Sequence, residues 1–191
     1  MGYNGINKMS KRECGDCQLC CKLLPVHDVY RVDGLSKKAG VKCKHQRFGK
    51  GCMVYNKPEM PMCCTMWNCR WLVDEIPKDI GRPDRVHYVI DVMPDFITLQ
   101  VDDIKSNIQV VQIWCDPKYP DAHRDPALRR WLETLATEKT VGLVRYNEKD
   151  CFVIFPPAMC DDNQWHEAKD NTKAARKQHS MAEIVETLGK L

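Results

Sequence analysis

Nine of the twelve cysteines fall between positions 14 and 69, and the spacing of the first four is typical of metal binding. The run C-x2-C-x2-C-C is formed by Cys14, Cys17, Cys20 and Cys21. A C-x2-C spacing allows two thiolates on one tight turn to reach the same metal ion, with backbone N–H groups directed at the sulfurs, and Gly15 favours such a turn. Successive C-x2-C spacings also occur in iron–sulfur proteins, although the C-x3-C-P element expected after them is absent here.

A second group of cysteines follows at wider spacing and comprises Cys43, Cys52, Cys63, Cys64 and Cys69. One tetrahedral zinc ion takes four ligands, so the nine cysteines are more than two such ions need. The sequence therefore predicts either two mononuclear sites or one multinuclear site. Neighbouring side chains of an extended backbone point to opposite sides, which predicts that Cys21 turns away from the site of the first three cysteines.

On these motifs, residues 12–72 resemble the CxxCxxCC family of zinc- or iron-chelating domains, also called YkgJ-type cysteine-cluster proteins. After C-x2-C-x2-C-C the family has a cysteine behind an Ala-Gly-like stretch, then C-x-I-Y, then R-P-x-x-C-R-x-F-x-C. The matching segments here are AGVKC ending at Cys43, CMVY beginning at Cys52, and PMCCTMWNC with Cys64 and Cys69 in register. Met60 and Thr65 stand where the family has arginines, and Cys63 is an addition.

The resemblance implies eight metal ligands, which are Cys14, Cys17, Cys20, Cys21, Cys43, Cys52, Cys64 and Cys69. It implies zinc or iron as the cofactor, with a 4Fe-4S cluster as one form of the iron. Because only Cys64 is in register, Cys63 is expected to be dispensable for metal. His27 and His45 are further candidates, although eight thiolates already suffice. The thiols outside the pattern are expected to be structural, and they are Cys115, Cys151 and Cys160.

The basic residues are concentrated in the same part of the chain as the cysteines. Residues 8–70 contain 13 Lys and Arg but only 5 Asp and Glu, whereas the whole chain has a net charge of +3. Positive side chains close to the cysteines in sequence favour thiolate over thiol, and these are Lys22, Lys42, Lys44, Lys50 and Arg70. The competing interpretation is a nucleic-acid surface with stacking aromatic residues. We expect the aromatic residues to form a small apolar shell around the metal instead, which disfavours nucleic-acid binding.

After residue 72 the sequence indicates ordinary secondary structure. A connector at residues 74–85 precedes two apolar runs, residues 86–92 and 96–101, which predict a β-hairpin. Residues 108–114 predict a third strand, and residues 141–146 with 151–155 a second hairpin. Asp125 and Pro126 predict the start of a helix, and apolar spacing predicts another helix near the C-terminus.

This order of elements predicts an α+β fold. An irregular cysteine-rich metal-binding module at residues 12–72 is expected to precede a small antiparallel sheet with one or two packed helices at residues 73–160. Residues 161–191 are expected to form a polar linker and the amphipathic C-terminal helix. The cysteine-rich module has few large apolar side chains, so metal is expected to stabilise it.

Composition and missing motifs narrow the function. The chain is 43% hydrophobic and 29% charged. It has no apolar run of the ~20 residues that a membrane span needs, and it has no secretory signal. These features predict a cytoplasmic protein. A reducing cytoplasm disfavours the alternative of a secreted disulfide scaffold. The sequence identifies no catalytic residue, phosphate loop or dinucleotide fingerprint. We therefore predict a metal-binding or metal-handling module that acts through a protein partner, with an iron–sulfur oxidoreductase or electron carrier as the alternative.

Overall fold

The computed structural model describes residues 12–26, 35–101, 103–169, 174–177 and 179–190, and these form an α+β fold, which confirms the predicted class. The α-helices in the described ranges are α1 (Leu19–Leu23), α2 (Met62–Met66), α3 (Pro83–Val86), α4 (Pro126–Ala136) and α5 (Met181–Leu188). Short 3-10 helices span Ala122–Arg124, Pro157–Met159 and Ala174–Arg176.

The strands form two sheets of different size. The small antiparallel sheet consists of β1 (Gln46–Arg47) and β2 (Gly51–Cys52). The large sheet contains β3 (Tyr88–Ile90), β4 (Asp95–Val101), β5 (Ile104–Cys115), β6 (Thr140–Arg145), β7 (Cys151–Phe155) and β8 (His166–Ala168). Its order is β3-β5-β6-β7-β8, and β4 pairs with β5 beyond the end of β3.

The large sheet is mixed rather than purely antiparallel. Strands β5 and β6 run parallel, and the other pairs among the described strands run antiparallel. A parallel pair needs a crossover connection, and α4 lies between these two strands in the chain. The sheet also continues past residue 160, because β8 pairs with β7 within the segment expected to be a polar linker.

The first predicted hairpin is wrong, and the second is confirmed. Strands β3 and β4 do not pair with each other, because the twelve-residue β5 pairs with both in succession. Just after β3, Asp91 N–H still donates a hydrogen bond to the carbonyl oxygen of Gln112 in β5. The pairing is then interrupted near Pro94, because proline has no N–H to donate. Strands β6 and β7 form the predicted second hairpin.

Both predicted helices of the C-terminal half begin where the sequence indicates. The Asp125 carboxylate accepts a hydrogen bond from Ala127 N at 3.0 Å and caps α4. Ser180 and Glu183 form a reciprocal capping box at the start of α5. Such caps satisfy N–H groups that the first turn of a helix leaves without partners, which explains why local sequence located both helices.

The two faces of the large sheet bury separate apolar clusters. Side chains alternate between the faces of a strand, so Val111 and Ile113 of β5 pack with α4, whereas Ile108 and Val110 face the opposite side. A third cluster joins the N-terminal module to the sheet and contains Cys17, Leu19, Leu23, Cys69, Val89 and Trp114. The cysteine-rich module therefore packs against the β3 edge of the sheet.

Within the described ranges, none of the helices has both the length and the apolar character required to cross a bilayer.

Candidate metal centre

The first two cysteines lie on a tight turn of the predicted kind. Cys17 N–H donates to the carbonyl oxygen of Cys14 at 3.0 Å, and Gly15 adopts a left-handed conformation with φ of +53°. Glycine adopts such a conformation without the steric cost that a side chain would add. The turn is held against α3, because Arg82 pairs with Asp16 at 2.7 Å.

Helix α1 brings the next two cysteines together. Cys20 and Cys21 lie on a helix, where neighbouring residues are about 100° apart, so the expected extended backbone is not found here. A hydrogen bond joins their side chains and is the main cause that lowers the pKa of Cys21, to about 7, with the positive charge of Lys37 contributing. Cys21 therefore stays beside the first three cysteines rather than turning away from them.

The β1–β2 hairpin places Cys43 and Cys52 against this first segment. Cys43 N–H donates to the carbonyl oxygen of Cys21 at 3.1 Å. Gly51 directly precedes Cys52, and a Cβ atom added to Gly51 would overlap the carbonyl oxygen of Gly15. The backbones of the two cysteine-bearing loops are therefore in direct contact.

Helix α2 carries the second vicinal pair. The Sγ atoms of Cys63 and Cys64 are 3.9 Å apart, and both side chains are half-buried. Cys69 follows after the helix and is buried in the cluster that contacts the sheet. Arg70 fixes this segment to β3, because its N–H donates to the carbonyl oxygen of Ile90 at 3.0 Å.

Backbone N–H groups point at three of the predicted ligands. Leu19 N–H donates to the sulfur of Cys17, the residue two positions before it. The sulfur of Cys52 accepts from Val54 and Tyr55, and that of Cys69 from Trp71 and Leu72. Donors two and three residues after a cysteine stabilise negative charge on its sulfur, as in the turn that the C-x2-C spacing predicts.

The eight predicted ligands share one electrostatic environment. Burial raises the pKa of Cys14 to about 12, and the charges of neighbouring thiolates add to it; these are Cys17, Cys21, Cys69 and Cys52. Burial raises the pKa values of Cys52 and Cys64, and the charges of Cys21 and Cys43 add to both, with Cys63 contributing to Cys64. The hydrogen bond with Cys21 is the main cause that raises the pKa of Cys20, and burial adds to it. Coulomb interactions weaken with distance, so each of these thiols lies within reach of the charge of at least one other member.

The three cysteines outside the pattern lie in other surroundings. Burial in the main core raises the pKa of Cys115 to about 12, and the negative charge of Asp116 adds to it. Burial raises the pKa of Cys151, whose thiol also interacts with the charges of Arg145, Arg176 and Asp150. Burial likewise raises the pKa of Cys160, and the charges of Asp161 and Asp162 add to it. The charges around these three thiols therefore differ from those around the eight predicted ligands. None of the twelve cysteines forms a disulfide.

The donor chemistry fits zinc or iron, although the side chains do not form a finished coordination shell. Among the described residues, no three Cys, His, Asp or Glu side chains meet in the geometry of one metal ion. Without a cation, burial and mutual repulsion keep most of these thiols protonated, as the raised pKa values of Cys14 and Cys17 (about 12 and about 11) indicate. A bound cation reverses this preference, because thiolates ligate metals and binding releases their protons.

Two neighbours of the cysteines were not singled out from the sequence. The Lys37 ammonium interacts with the charges of Cys43, Cys21 and Cys20, and it donates to the carbonyl oxygen of Leu24. Trp114 lies 97 residues after Cys17 and 45 residues after Cys69 in sequence, yet it packs in the cluster that contains both. Its indole Nε1 is a buried donor without a hydrogen-bond partner among the described residues.

The lysine and arginine residues chosen from the sequence are partly engaged elsewhere. Lys22 pairs with Asp116 at 2.5 Å, and Arg70 pairs with Glu75 at 3.4 Å. Only tertiary structure distinguishes Lys37, which points inward, from these neighbours. His45 is half-buried beside β1, and its carbonyl oxygen accepts from Met53 N, whereas His27 lies outside the described residues.

Comparison with known proteins does not identify a relative of this chain. No family model matches the sequence, and neither a curated protein nor a solved structure matches it. The likeness to the CxxCxxCC zinc- or iron-chelating domains therefore stays a prediction that rests on the motifs of residues 12–72.

Proposed function

We propose that this protein is a cysteine-cluster metal-binding protein that chelates zinc or iron through its N-terminal module. The observation that carries the proposal is the mutual electrostatic influence of the eight cysteines chosen by spacing. Cys63 joins them through its contact with Cys64, whereas Cys115, Cys151 and Cys160 lie among other charges. Thiolates are the usual ligands of structural zinc and of iron–sulfur clusters. The proposed role is metal binding or handling in concert with a protein partner.

The proposed compartment is the cytoplasm. Twelve cysteines without a disulfide, two vicinal pairs among them, are compatible with a reducing environment, where thiols remain available to metals.

An iron–sulfur oxidoreductase or electron carrier is the second candidate, and the aromatic shell favours it. Trp67, Trp71 and Trp114 pack with the buried Cys17 and Cys69. Such a shell limits access of water to a cluster, and N–H donors near its sulfurs tune its reduction potential. The Nε1 donor of Trp114 would supply one such group in this environment.

Metal analysis of the protein purified without oxygen tests the proposal. We expect the wild-type chain to retain metal through gel filtration, either about two zinc ions or iron together with acid-labile sulfide. Cys17→Ser and Cys20→Ser should each lose at least about half of that metal, since each removes a ligand. A colourless protein with zinc and no sulfide would exclude the iron–sulfur candidate.

Cys160→Ser is the control variant. Cys160 is half-buried like Cys14, but it lies outside the cluster, and its thiol donates to the carbonyl oxygen of Pro156 at 3.5 Å, as a serine hydroxyl can. We expect its metal content to equal that of wild type. Equal loss in all three variants, or a wild-type chain that holds no metal after anaerobic reconstitution, would contradict the proposal.

A further inference from the structure

Helix α2 presents sulfur atoms to solvent beside the proposed cluster. Met62 is 48% exposed and Met66 is 80% exposed, and Cys63 between them is half-buried. None of the three belongs to the eight proposed ligands. Methionine side chains usually fill gaps in protein cores, whereas this five-residue helix carries two exposed methionines next to a cysteine.

The helix brings these three sulfur-bearing side chains to one side. Met62 and Met66 are four residues apart, and Cys63 and Met66 are three apart, so their Cβ atoms are neighbours at about 5–6 Å. The Sγ atoms of Cys63 and Cys64 are 3.9 Å apart. Two sulfurs bound to one metal at about 2.3 Å, with an angle of about 110–120°, are about 3.8–4.0 Å apart. The thiol of Cys63 is therefore already spaced from Cys64 as if both could contact one soft metal ion.

The chemistry of the three donors selects among metals. A thioether carries no charge and is a soft ligand, which suits monovalent copper far better than it suits hard cations such as Mg²⁺ or Ca²⁺. One thiolate and two thioethers also balance a single positive charge. The combination therefore favours Cu(I) over a divalent ion, whereas the all-thiol cluster beside it is suited to zinc or iron.

We propose that Met62, Cys63 and Met66 form a surface site for Cu(I) on helix α2, adjacent to the cysteine cluster and separate from it. The site makes Cys63 a metal ligand in its own right, and Cys64 lies close enough to receive the ion. Because the three residues lie outside the eight proposed ligands, this inference does not depend on the identity of the metal in the cluster.

Competition with a chromogenic Cu(I) chelator, bicinchoninate, tests this site on the full-length, zinc-loaded protein without oxygen. We expect the wild-type chain to bind one Cu(I) without releasing zinc. The double variant Met62→Leu/Met66→Leu and the single variant Cys63→Ser should each weaken Cu(I) binding at least about tenfold, since even loss of an outer-shell partner costs a metal site that much. Zinc content in both variants should remain that of wild type.

Met53→Leu is the matched control, since Met53 is 40% exposed but lies after β2 rather than on α2. Leucine replaces methionine with little change in volume, and the two α2 methionines are exposed, so the double variant should fold. Unchanged Cu(I) affinity in the double variant or in Cys63→Ser would overturn the proposal. Stoichiometric zinc release on copper addition would also overturn it, because the copper would then occupy the eight-cysteine cluster.

Discussion

Gly51 determines how closely the two cysteine-bearing loops approach. Its backbone is left-handed with φ of +76°, and an added Cβ would overlap the Gly15 carbonyl oxygen and lie 3.3 Å from Asp16 Cα. Both contacts are with backbone atoms, which cannot rotate away as a side chain can. Any side chain at position 51 must therefore push the turn of Cys14 away from Cys52.

We predict that Gly51→Ala lowers the metal content per chain by at least about half, because separated ligands cannot share a site and binding supplies folding energy only when they meet. Gly49→Ala is the control: Gly49 has φ of +69°, but an added Cβ meets nothing within 4 Å. Both variants bear the cost of about 1–2 kcal/mol for a left-handed alanine. Metal analysis and thermal unfolding of the two variants would separate this shared cost from the effect of the clash with Gly15. Equal metal content in the two variants would show that the contact between the loops is unimportant for metal binding.

The sequence grouped the candidate ligands better than it located their surroundings. Short-range spacing predicted which cysteines group together, because each C-x2-C turn is a local structure. Lys37 and Trp114 reach the cysteines only through the tertiary fold, so no local signal marks them. The orientation of Cys21 was also missed, because α1 is only five residues long and its pattern is too short to indicate a helix.

At the scale of elements, Glu167 fastens the edge strand β8 to the helical layer. Arg124 donates to both of its carboxylate oxygens, at 2.9 and 3.1 Å, and His123 Nε2 lies 3.0 Å from Oε1. Arg129 and Lys169 also pair with it, at 3.4 and 3.0 Å. Arg124 is the main cause that holds the pKa of Glu167 well below its ordinary value, against the opposing effect of burial. The strand is therefore anchored by charge as well as by its pairing with β7.

We predict that Glu167→Gln lowers the free energy of unfolding by about 1.5–3 kcal/mol at pH 7, the range for hydrogen bonds to charged groups. A carboxylate with a lowered folded-state pKa stabilises the protein above its unfolded-state pKa of about 4.3 and loses that effect as the pH falls toward the folded-state value. The difference between wild type and variant in urea unfolding should therefore narrow below about pH 5. Acid loss of metal affects both proteins alike and cancels from this difference.

Glu186→Gln provides the comparison for that experiment. Glu186 pairs with Lys190 at 2.8 Å, and both side chains are 70% exposed. An exposed pair of this kind contributes little to the free energy of unfolding, because water and salt screen it. If Glu167→Gln lowered the free energy of unfolding as little as Glu186→Gln does, β8 would be held by its strand pairing alone.

Elements were predictable where their signals are local. The caps at Asp125 and Ser180 and the β6–β7 hairpin follow from residues close together in sequence. The parallel pairing of β5 with β6 does not, because it joins residues about thirty positions apart across α4. The apolar runs before and after Pro94 predicted a hairpin, yet both pair with β5, whose length the periodicity underestimated.

The whole molecule combines a cysteine-rich module with a sheet that has apolar clusters of its own. The module contacts the sheet through Val89 and Trp114, the hydrogen bond from Arg70 to Ile90, and the ion pair of Lys22 with Asp116. The two larger apolar clusters lie within the sheet and the elements that follow the module. Stability is therefore expected to be distributed unevenly along the chain.

We predict that a strong chelator removes hydrogen-exchange protection from residues 12–72 while β5, β6 and β7 stay protected. Ordering each residue costs about 1–2 kcal/mol of backbone entropy, and a structural metal supplies about 10 kcal/mol or more only where its ligands lie. Strand β3 should lose an intermediate amount of protection, because the carbonyl oxygen of Ile90 accepts a hydrogen bond from Arg70 N–H and Val89 packs against the module. Exchange measured by mass spectrometry, with and without chelator at one pH, gives the pattern directly, and Cys17→Ser should reproduce it without chelator. If protection were instead lost uniformly along the chain, the module and the sheet would unfold as one cooperative unit. Protection that persists in residues 12–72 after the metal is removed would mean that apolar contacts with β3 and β5, rather than the metal, hold the module together.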